Sequence, residues 1–559
     1  MRIISKEFTK AEIEELGKEK YGKNWPVVYI LHDEKKAYVG ETTSIFVRAK
    51  QHLDNDERKQ LTMIEVISDK MFNKSAALDI EAKLIEYMSS DEKYKLLNSN
   101  GGIRGHDYYD KERYDSLFKT IWAELRKKEI VENDLRVLEN SDLFKYTPYK
   151  TLTDEQYETV YLMISDLARS IMNNQEVSFI INGEAGTGKT VLAMYLLKLL
   201  SDNKLLDFIT DFDEEQMNLY VELKEKLEDF RFALVVPQTS LRATLKSVVG
   251  KITNLKKNMV IGPSDVTKQD YDLLIVDEAH RLKRSKNISH RGAFNQTNSK
   301  LELGDSGTQL DWVMKSSKYQ IFFYDAKQSI RPSDVRPEQF EKLITNQRTI
   351  RYHLRSQLRS KGGNDYLKYI KEILSDQPPS EKRTFASYDF RLYDSIWDMR
   401  EQVFRQEEAD GLSRLVAGYA WNWVTQKMSP AEITEQEAYD IEIEGLKMIW
   451  NSGSGKGWIN SPGSVNEVGS IHTTQGFDLN YVGVIIGPEV TYNWSTQKIE
   501  VIKENYYDKY GKQSIEDERE LHDYVMNIYG VLLSRAMNGT YVYVCDPELK
   551  KYFEQYINK

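Results

Sequence analysis

Residues 183–190, GEAGTGKT, stand between the apolar run SFIIN and the helical run VLAMYLLKLL. A glycine-rich turn from a strand into a helix restricts the chain severely. Its amides converge on an anion only if the strand lies within a parallel sheet and the helix starts at the strand's carboxyl end. Gly183, Gly186 and Gly188 let the backbone curl, Lys189 is spaced to reach the β and γ phosphates of ATP, and Thr190 to ligate Mg²⁺. Further apolar runs of strand length follow at helical spacings: FALVV, DLLIV, QIFFY, YVGVII and TYVYV. They do not alternate with polar residues, which suits strands covered on both faces. The expected class is α/β, with two parallel-sheet domains meeting near residue 345.

DLLIVDEAH completes the nucleotide site, because a strand ending in adjacent acids presents Asp277 to the Mg²⁺ shell and Glu278, as general base, to the attacking water. Upstream, Thr153 and Gln156 of LTDEQ have the spacing of a capping box. A glutamine at this place also suits reading of the adenine edge, and both readings stay open.

At 559 residues the chain exceeds a single core, so several domains are expected. The divisions read from the pattern are 1–107, a charged helical connector over 108–148, and the two parallel-sheet domains over 149–345 and 346–559. Two insertions are expected to interrupt the latter. Residues 201–230 hold ten acids against three lysines, and residues 491–525 read as polar and helical. One cysteine, Cys545, excludes an intramolecular disulfide and a multi-thiolate zinc site. With no signal peptide and no run of about 18 apolar residues, the chain reads as cytoplasmic and free of the membrane. A net charge of -10 excludes a protein that coats nucleic acid with its whole surface. Local tracks still exist, since residues 281–300 hold six Lys or Arg and no acid. Either they form a solvated loop, or Arg281, Lys283 and Arg284 touch phosphates.

From Gln156 onward these motifs resemble superfamily 1 helicases, and more closely the Schlafen-like ATPase/helicase family. VVPQTSLRATL looks like its single-strand contact motif, and FFYDAKQSIRPSD its ATP-sensing motif, with Asp325 and Gln328 near the γ-phosphate. HLRSQLRS carries Arg359, EVGSIHTTQGFDL carries His472, Gln475 and Gly476, and YGVLLSRAMNGTYVYV carries Arg535. The resemblance, over about 150–550, implies that the two parallel-sheet domains are RecA-like and that Arg359 and Arg535 reach the triphosphate as arginine fingers in cis. Short spacing between the motifs favours translocation or remodelling over processive unwinding.

The N-terminal region reads separately. VVYILHDEKKAYVGET is a strand, a polar turn and a second strand bearing Tyr29 and Tyr38. Arg48 and His52 share a helical face at i and i+4. In SAALDIEAKLIEYM, Ala77, Ile80, Leu84 and Met88 form an apolar stripe with Glu81 near its middle. A carboxylate there is costly unless paired, so Glu81 is either half of a buried ion pair or a metal ligand. This set resembles a GIY-YIG nuclease over about 25–107, with VYI and YVG at the naming motifs, Asn98 at the family's late asparagine, and Val28 in place of the first glycine. The resemblance implies that Glu81 holds Mg²⁺ or Mn²⁺, Arg48 stabilises phosphorane charge, and Tyr29 or His52 handles the proton of the attacking water. Together the two resemblances imply an ATP-dependent nuclease acting on nucleic acid, DNA before RNA, of the kind used in bacterial anti-phage defence, with oligomers or a partner protein allowed. The competing readings are a helicase or translocase whose N-terminal domain only grips nucleic acid, and an ATP-switched sensor that recruits a partner.

Overall fold

In the computed structural model the described residues are 1–98, 108–202, 214–286, 288, 291–329, 331–451, 458–461, 463–474, 477–508, 512, 515 and 517–559. By its own contacts the chain separates into two compact units. One comprises Met1–Glu176, Thr190–Leu234 and Thr244–Val260, the other Val177–Lys189, Val235–Ala243 and Ile261–Lys559.

The first unit is built on a five-stranded sheet of order β1-β4-β2-β3-β5. Its strands are β1 (Arg2–Glu7), β2 (Val27–His32), β3 (Lys36–Thr42), β4 (Met63–Ser68) and β5 (Lys95–Leu96). The hairpin β2–β3 pairs Tyr29 with Gly40 and Leu31 with Tyr38. Both faces of β2 are buried, so its side chains VVYILH carry no alternation. The sheet is larger than the two strands read from sequence, because β1 and β4 also join it, β4 antiparallel to both β1 and β2. The helix Lys74–Asp91 starts at Asn73, whose side chain caps the amide of Ala76. It buries Ala77, Ile80, Leu84 and Met88, the stripe expected from its periodicity. Residues 108–148 hold three helices, Lys111–Lys127, Leu135–Glu139 and Asp142–Tyr146, and all three pack on the helix Lys74–Asp91.

Two further sheets follow along the chain. The first has the order β11-β6-β10-β9-β7-β8, from β6 (Val177–Gly183), β7 (Phe232–Val235), β8 (Val260–Ile261), β9 (Tyr271–Val276), β10 (Ser317–Tyr324) and β11 (Thr349–Leu354). Strands β6, β9, β10 and β11 run parallel, as unalternating apolar runs demand. β11 lies past residue 345 but completes this sheet. The second sheet has the order β12-β20-β17-β13-β16, from β12 (Asp389–Leu392), β13 (Ser413–Ala417), β16 (Val468–Gly469), β17 (Leu479–Ile486) and β20 (Ala536–Val544). All its pairings are parallel. Between β13 and β16 sits the small hairpin of β14 (Ile441–Ile443) and β15 (Leu446–Met448).

Residues 491–525 correct the helical expectation. β18 (Val490–Asn493) and β19 (Lys498–Val501) form an antiparallel hairpin, and a long helix starts only at Glu518. The Asn493 side chain accepts from the amides of Ser495 and Thr496, a turn that offers the backbone an alternative to helix.

Candidate nucleotide and nuclease sites

The carboxyl end of β6 leads into the phosphate loop, and the helix Lys189–Ser201 leaves it. Gly186 and Gly188 have φ of 85° and 79°, the left-handed region that other residues enter only at a cost. A Cβ on Gly186 would also fall 2.0 Å from Gln357 Oε1. Lys189 is buried, and its Nζ donates to the carbonyls of Gly183 at 2.6 Å and Glu184 at 2.9 Å, with Asp325 Oδ2 3.9 Å away.

Beside it, β9 ends at Asp277, which has no exposed surface and accepts the Glu278 amide at 3.0 Å. Glu278 itself is held at φ 50°, a backbone conformation that tertiary packing has to enforce on a non-glycine residue. Burial pushes its carboxyl upward, but His280, 2.8 Å away, together with Lys189 and Arg535, outweighs that and keeps it ionised. An ionised acid at a strand end, beside a buried ammonium, suits a base that orients water. Gln328 Nε2 donates to Asp325 Oδ2 at 2.7 Å, which joins the two side chains. Arg535 is buried and near enough to influence Glu278. Arg359 Nε is ion-paired with Asp478 Oδ1. A cavity of about 180 Å³ opens here, lined by Glu184, Ala185, Asp325, Gln328, Lys371 and Ser534 among others.

A loop whose glycines admit no Cβ, a buried lysine at its end and a buried acid pair across from it fit a nucleoside triphosphate with a divalent cation. Thr190 and Asp277 would hold the cation, which would neutralise charge on the phosphates.

Other expected residues fall differently. Gln156 completes the capping box, its Oε1 accepting the Thr153 amide at 3.2 Å. Gln475 and Gly476 lie outside the described residues. His472 is half-buried and held neutral by desolvation, with Arg331, Arg281 and Lys283 adding to the effect. The basic run after DEAH is not a free loop. Arg281 lies 3.5 Å from the buried Asp334, Arg284 Nε donates to the Pro332 carbonyl at 2.7 Å, and of the three residues only Lys283 is exposed. Sequence reasoning missed Gln357, His280 and Asp478. His280 was within reach, as the last letter of DEAH.

In the first unit, Tyr29 Oη lies 2.7 Å from His52 Nε2, and Arg58 Nη1 lies 3.2 Å from His52 Nδ1. The guanidinium of Arg58 also stacks 3.9 Å above the Tyr38 ring. A guanidinium only donates, so Nδ1 accepts and Nε2–H donates to the Tyr29 oxygen. Burial, reinforced by Arg58 and Arg48, pushes His52 down to about 3, so it stays neutral and holds this tautomer. Arg48 Nη1 donates to Gln51 Oε1 at 3.1 Å, and its guanidinium lies near enough to both tyrosines to influence them electrostatically. Tyr29 also explains Gly40, where a Cβ would lie 2.3 Å from Tyr29 Oη.

Glu81 is raised to about 8 by burial first and by Glu41 second, against the Glu41 amide, Lys74 and Arg48. No ion pair to Glu81 occurs among the described residues, while its neighbour Glu41 is paired with Lys74 at 2.5 Å. Asn98 is a brace: it donates to the Val39 carbonyl at 2.8 Å and accepts the Val39 amide at 3.0 Å. No group of three or more His, Cys, Asp or Glu suited to a metal occurs among the described residues.

Residues 176–546 match the sequence family described as Schlafen group 3, DNA/RNA helicase domain. The chain belongs to this family. It is accordingly a helicase-type ATPase, and its first 175 residues lie outside the match. The chain is 26% identical over 416 residues to Uncharacterized protein YPL245W of Saccharomyces cerevisiae, covering 67% of this chain and 83% of that one. Among solved structures, Pif1 helicase from Candida albicans is matched with a TM-score of 0.26 and 12% identity over 72% of this chain and 98% of that one. Mss116p bound to ssRNA and AMP-PNP is matched with a TM-score of 0.28 and 12% identity over 72% and 74%. The family assignment rests on the sequence match, and the parallel-sheet architecture on the strand orders above. No described helix is long and apolar enough to cross a membrane.

Proposed function

We propose that this chain is an ATP-dependent nuclease in which a nucleic-acid motor feeds or licenses a GIY-YIG-type cutting domain over 1–107. The observation that carries the nuclease reading is the buried pair of Tyr29, on a hairpin whose Gly40 is required by the Tyr29 hydroxyl, and His52, on the helix Ile45–Leu53 that also carries the half-buried Arg48. Tyr29, kept protonated by burial and accepting from His52 Nε2–H, takes the proton of the attacking water as it passes its own to a phosphate oxygen of the substrate, and neutral His52 orients it. Arg48 and Tyr38 face the developing phosphorane charge. Glu81 supplies the carboxylate for Mg²⁺ or Mn²⁺, whose binding would offset the cost of ionising it in a half-buried position.

In the motor, Lys189 binds the β and γ phosphates, Thr190 and Asp277 hold Mg²⁺, and Glu278 orients water. Asp325 and Gln328 sense the γ-phosphate, while Arg359 and Arg535 neutralise charge as it develops. Gln475 and Gly476 belong to the same cleft by their motif, and Gln156 is assigned to the adenine. DNA is the first substrate to test. A cytoplasmic role in defence against phage rests on the combination of domains.

The test is incubation of the purified protein with labelled single- and double-stranded DNA and RNA, with and without ATP and Mg²⁺. Cleavage that is lost in Glu81→Gln while stimulated ATP hydrolysis persists is the expected result. Hydrolysis without cleavage by any metal would reject the nuclease reading and leave the motor alone.

A further inference from the structure

The short segment after β11 touches the phosphate loop directly. Gln357 Nε2 donates to the Ala185 carbonyl at 2.7 Å, and Gln357 Oε1 accepts the amide of Arg359 at 2.8 Å. The Leu358 amide donates to the Gly186 carbonyl at 2.9 Å. Gly186 accommodates this contact, since a Cβ there would fall on the Gln357 amide. One side chain therefore bridges the loop that holds phosphates and the backbone of an arginine that follows two residues later. Downstream, Lys371 is ion-paired with Glu184 of the same loop, a second tie from the same stretch of chain.

The head of Arg359 is arranged differently from its root. Its Nε is ion-paired with Asp478, while its Nη1 is buried without a hydrogen-bond partner among the described residues. A buried guanidinium nitrogen lacking an acceptor is costly, and an anionic oxygen would relieve that cost. We infer that Gln357 is a positioning residue that pins the root of Arg359 to the phosphate loop, leaving its side chain to exchange Asp478 for the transferring phosphate. Backbone and loop then move as one body, and the arginine's approach becomes a change of rotamer. This rests on the assignment of Arg359 to the triphosphate.

The experiment is a double-mutant cycle on the full chain, measuring kcat, nucleotide affinity and amide hydrogen exchange without nucleotide. Arg359→Ala should lower kcat by about a thousandfold, the scale of an arginine finger. Gln357→Leu should lower kcat by about tenfold to a hundredfold, as misplacement by about an ångström does, with nucleotide affinity changed less than about threefold. The double variant should match Arg359→Ala within about twofold, because a residue acting through another costs nothing once that other is gone. Exchange over residues 355–362 should quicken at least about tenfold in nucleotide-free Gln357→Leu. Multiplicative losses in the cycle, or unchanged exchange, would overturn the role of Gln357. An undiminished kcat in Arg359→Ala would instead overturn the arginine assignment on which it rests. Should Gln357→Leu fold poorly, Gln357→Glu keeps the acceptor for the Arg359 amide and loses the donor to Ala185, and the same cycle decides.

Discussion

Glu81→Gln is informative because the two readings of this half-buried carboxylate predict opposite signs. The folded protein raises Glu81 from 4.5 to about 8. A group whose affinity for protons is greater in the folded state contributes its full stability below 4.5 and loses it as pH rises through about 8. At about 1.4 kcal/mol per pH unit the ionised carboxylate would weaken the fold by at most about 5 kcal/mol above pH 8. Solvent reaching part of the side chain brings the figure to about 2–4 kcal/mol. Glutamine keeps the volume without ionising. The variant is therefore expected to match the native protein near pH 5 and exceed it by about 2–4 kcal/mol at pH 9. The assay is the free energy of opening for amides of the helix Lys74–Asp91, read by hydrogen exchange with parallel nicking measurements. Mg²⁺ or Mn²⁺ at pH 9 should close the gap from the native side only, by binding the carboxylate. A buried ion pair would give the reverse, a loss of about 3–5 kcal/mol in the variant. A variant less stable at pH 9, or a gap that ignores pH, would refute the reasoning, and a folded variant that still cuts with the same metal dependence would remove Glu81 from the chemistry.

Gly40→Ala should displace Tyr29 and destabilise the first unit by about 1–3 kcal/mol through overpacking, seen as a lower urea midpoint with nicking lost in proportion. Lys189→Ala should abolish ATP hydrolysis, whereas Glu278→Gln should bind ATP and stall, and normal turnover in either would contradict the site. His52, pushed down to about 3, is neutral in the fold. Its contribution is complete above about 6.5 and falls as pH drops toward 3, so His52→Gln should flatten that acid limb by roughly 2–4 kcal/mol in denaturant titrations across pH 4–7. Lys283→Ala should reduce the salt slope of nucleic-acid binding by about one, while Arg281→Ala should instead lower the melting temperature by leaving Asp334 underpaired.

Much of the first parallel sheet was legible because its strands are buried on both faces: SFIIN, FALVV, DLLIV and QIFFY became β6, β7, β9 and β10. β11 was not, because an edge strand with the pattern TIRYHL is half exposed and reads as polar. β4 escaped for a different reason. It carries Glu65, only 1% exposed and satisfied by Ser5, where periodicity expects an apolar residue. In the candidate sites, residues proposed for their chemical type were readable, among them Lys189, Asp277 and Glu81. Those that act through a partner distant in sequence were not. Arg58 is visible only once it meets His52 and Tyr38, and Gln357 only once it meets Ala185. The basic run misled because its charges were counted without Asp334, which lies 53 residues from Arg281.

The strands of the first parallel sheet all precede residue 355 and those of the second all follow residue 388. The chain therefore crosses from one sheet to the other once, through the segment that begins with Arg355. With a single covalent crossing, no second strap resists rotation, and the pivot coincides with the stretch that carries Gln357 and Arg359. Any swing between the two sheets is registered where it originates. An insertion at 355–362 would lengthen the pivot and disconnect the signal in one step, whereas one in the loop after Ile373 would leave both intact. Tolerance to inserted sequence should therefore fall sharply over those eight positions and recover immediately beyond the helix Gly363–Ile373.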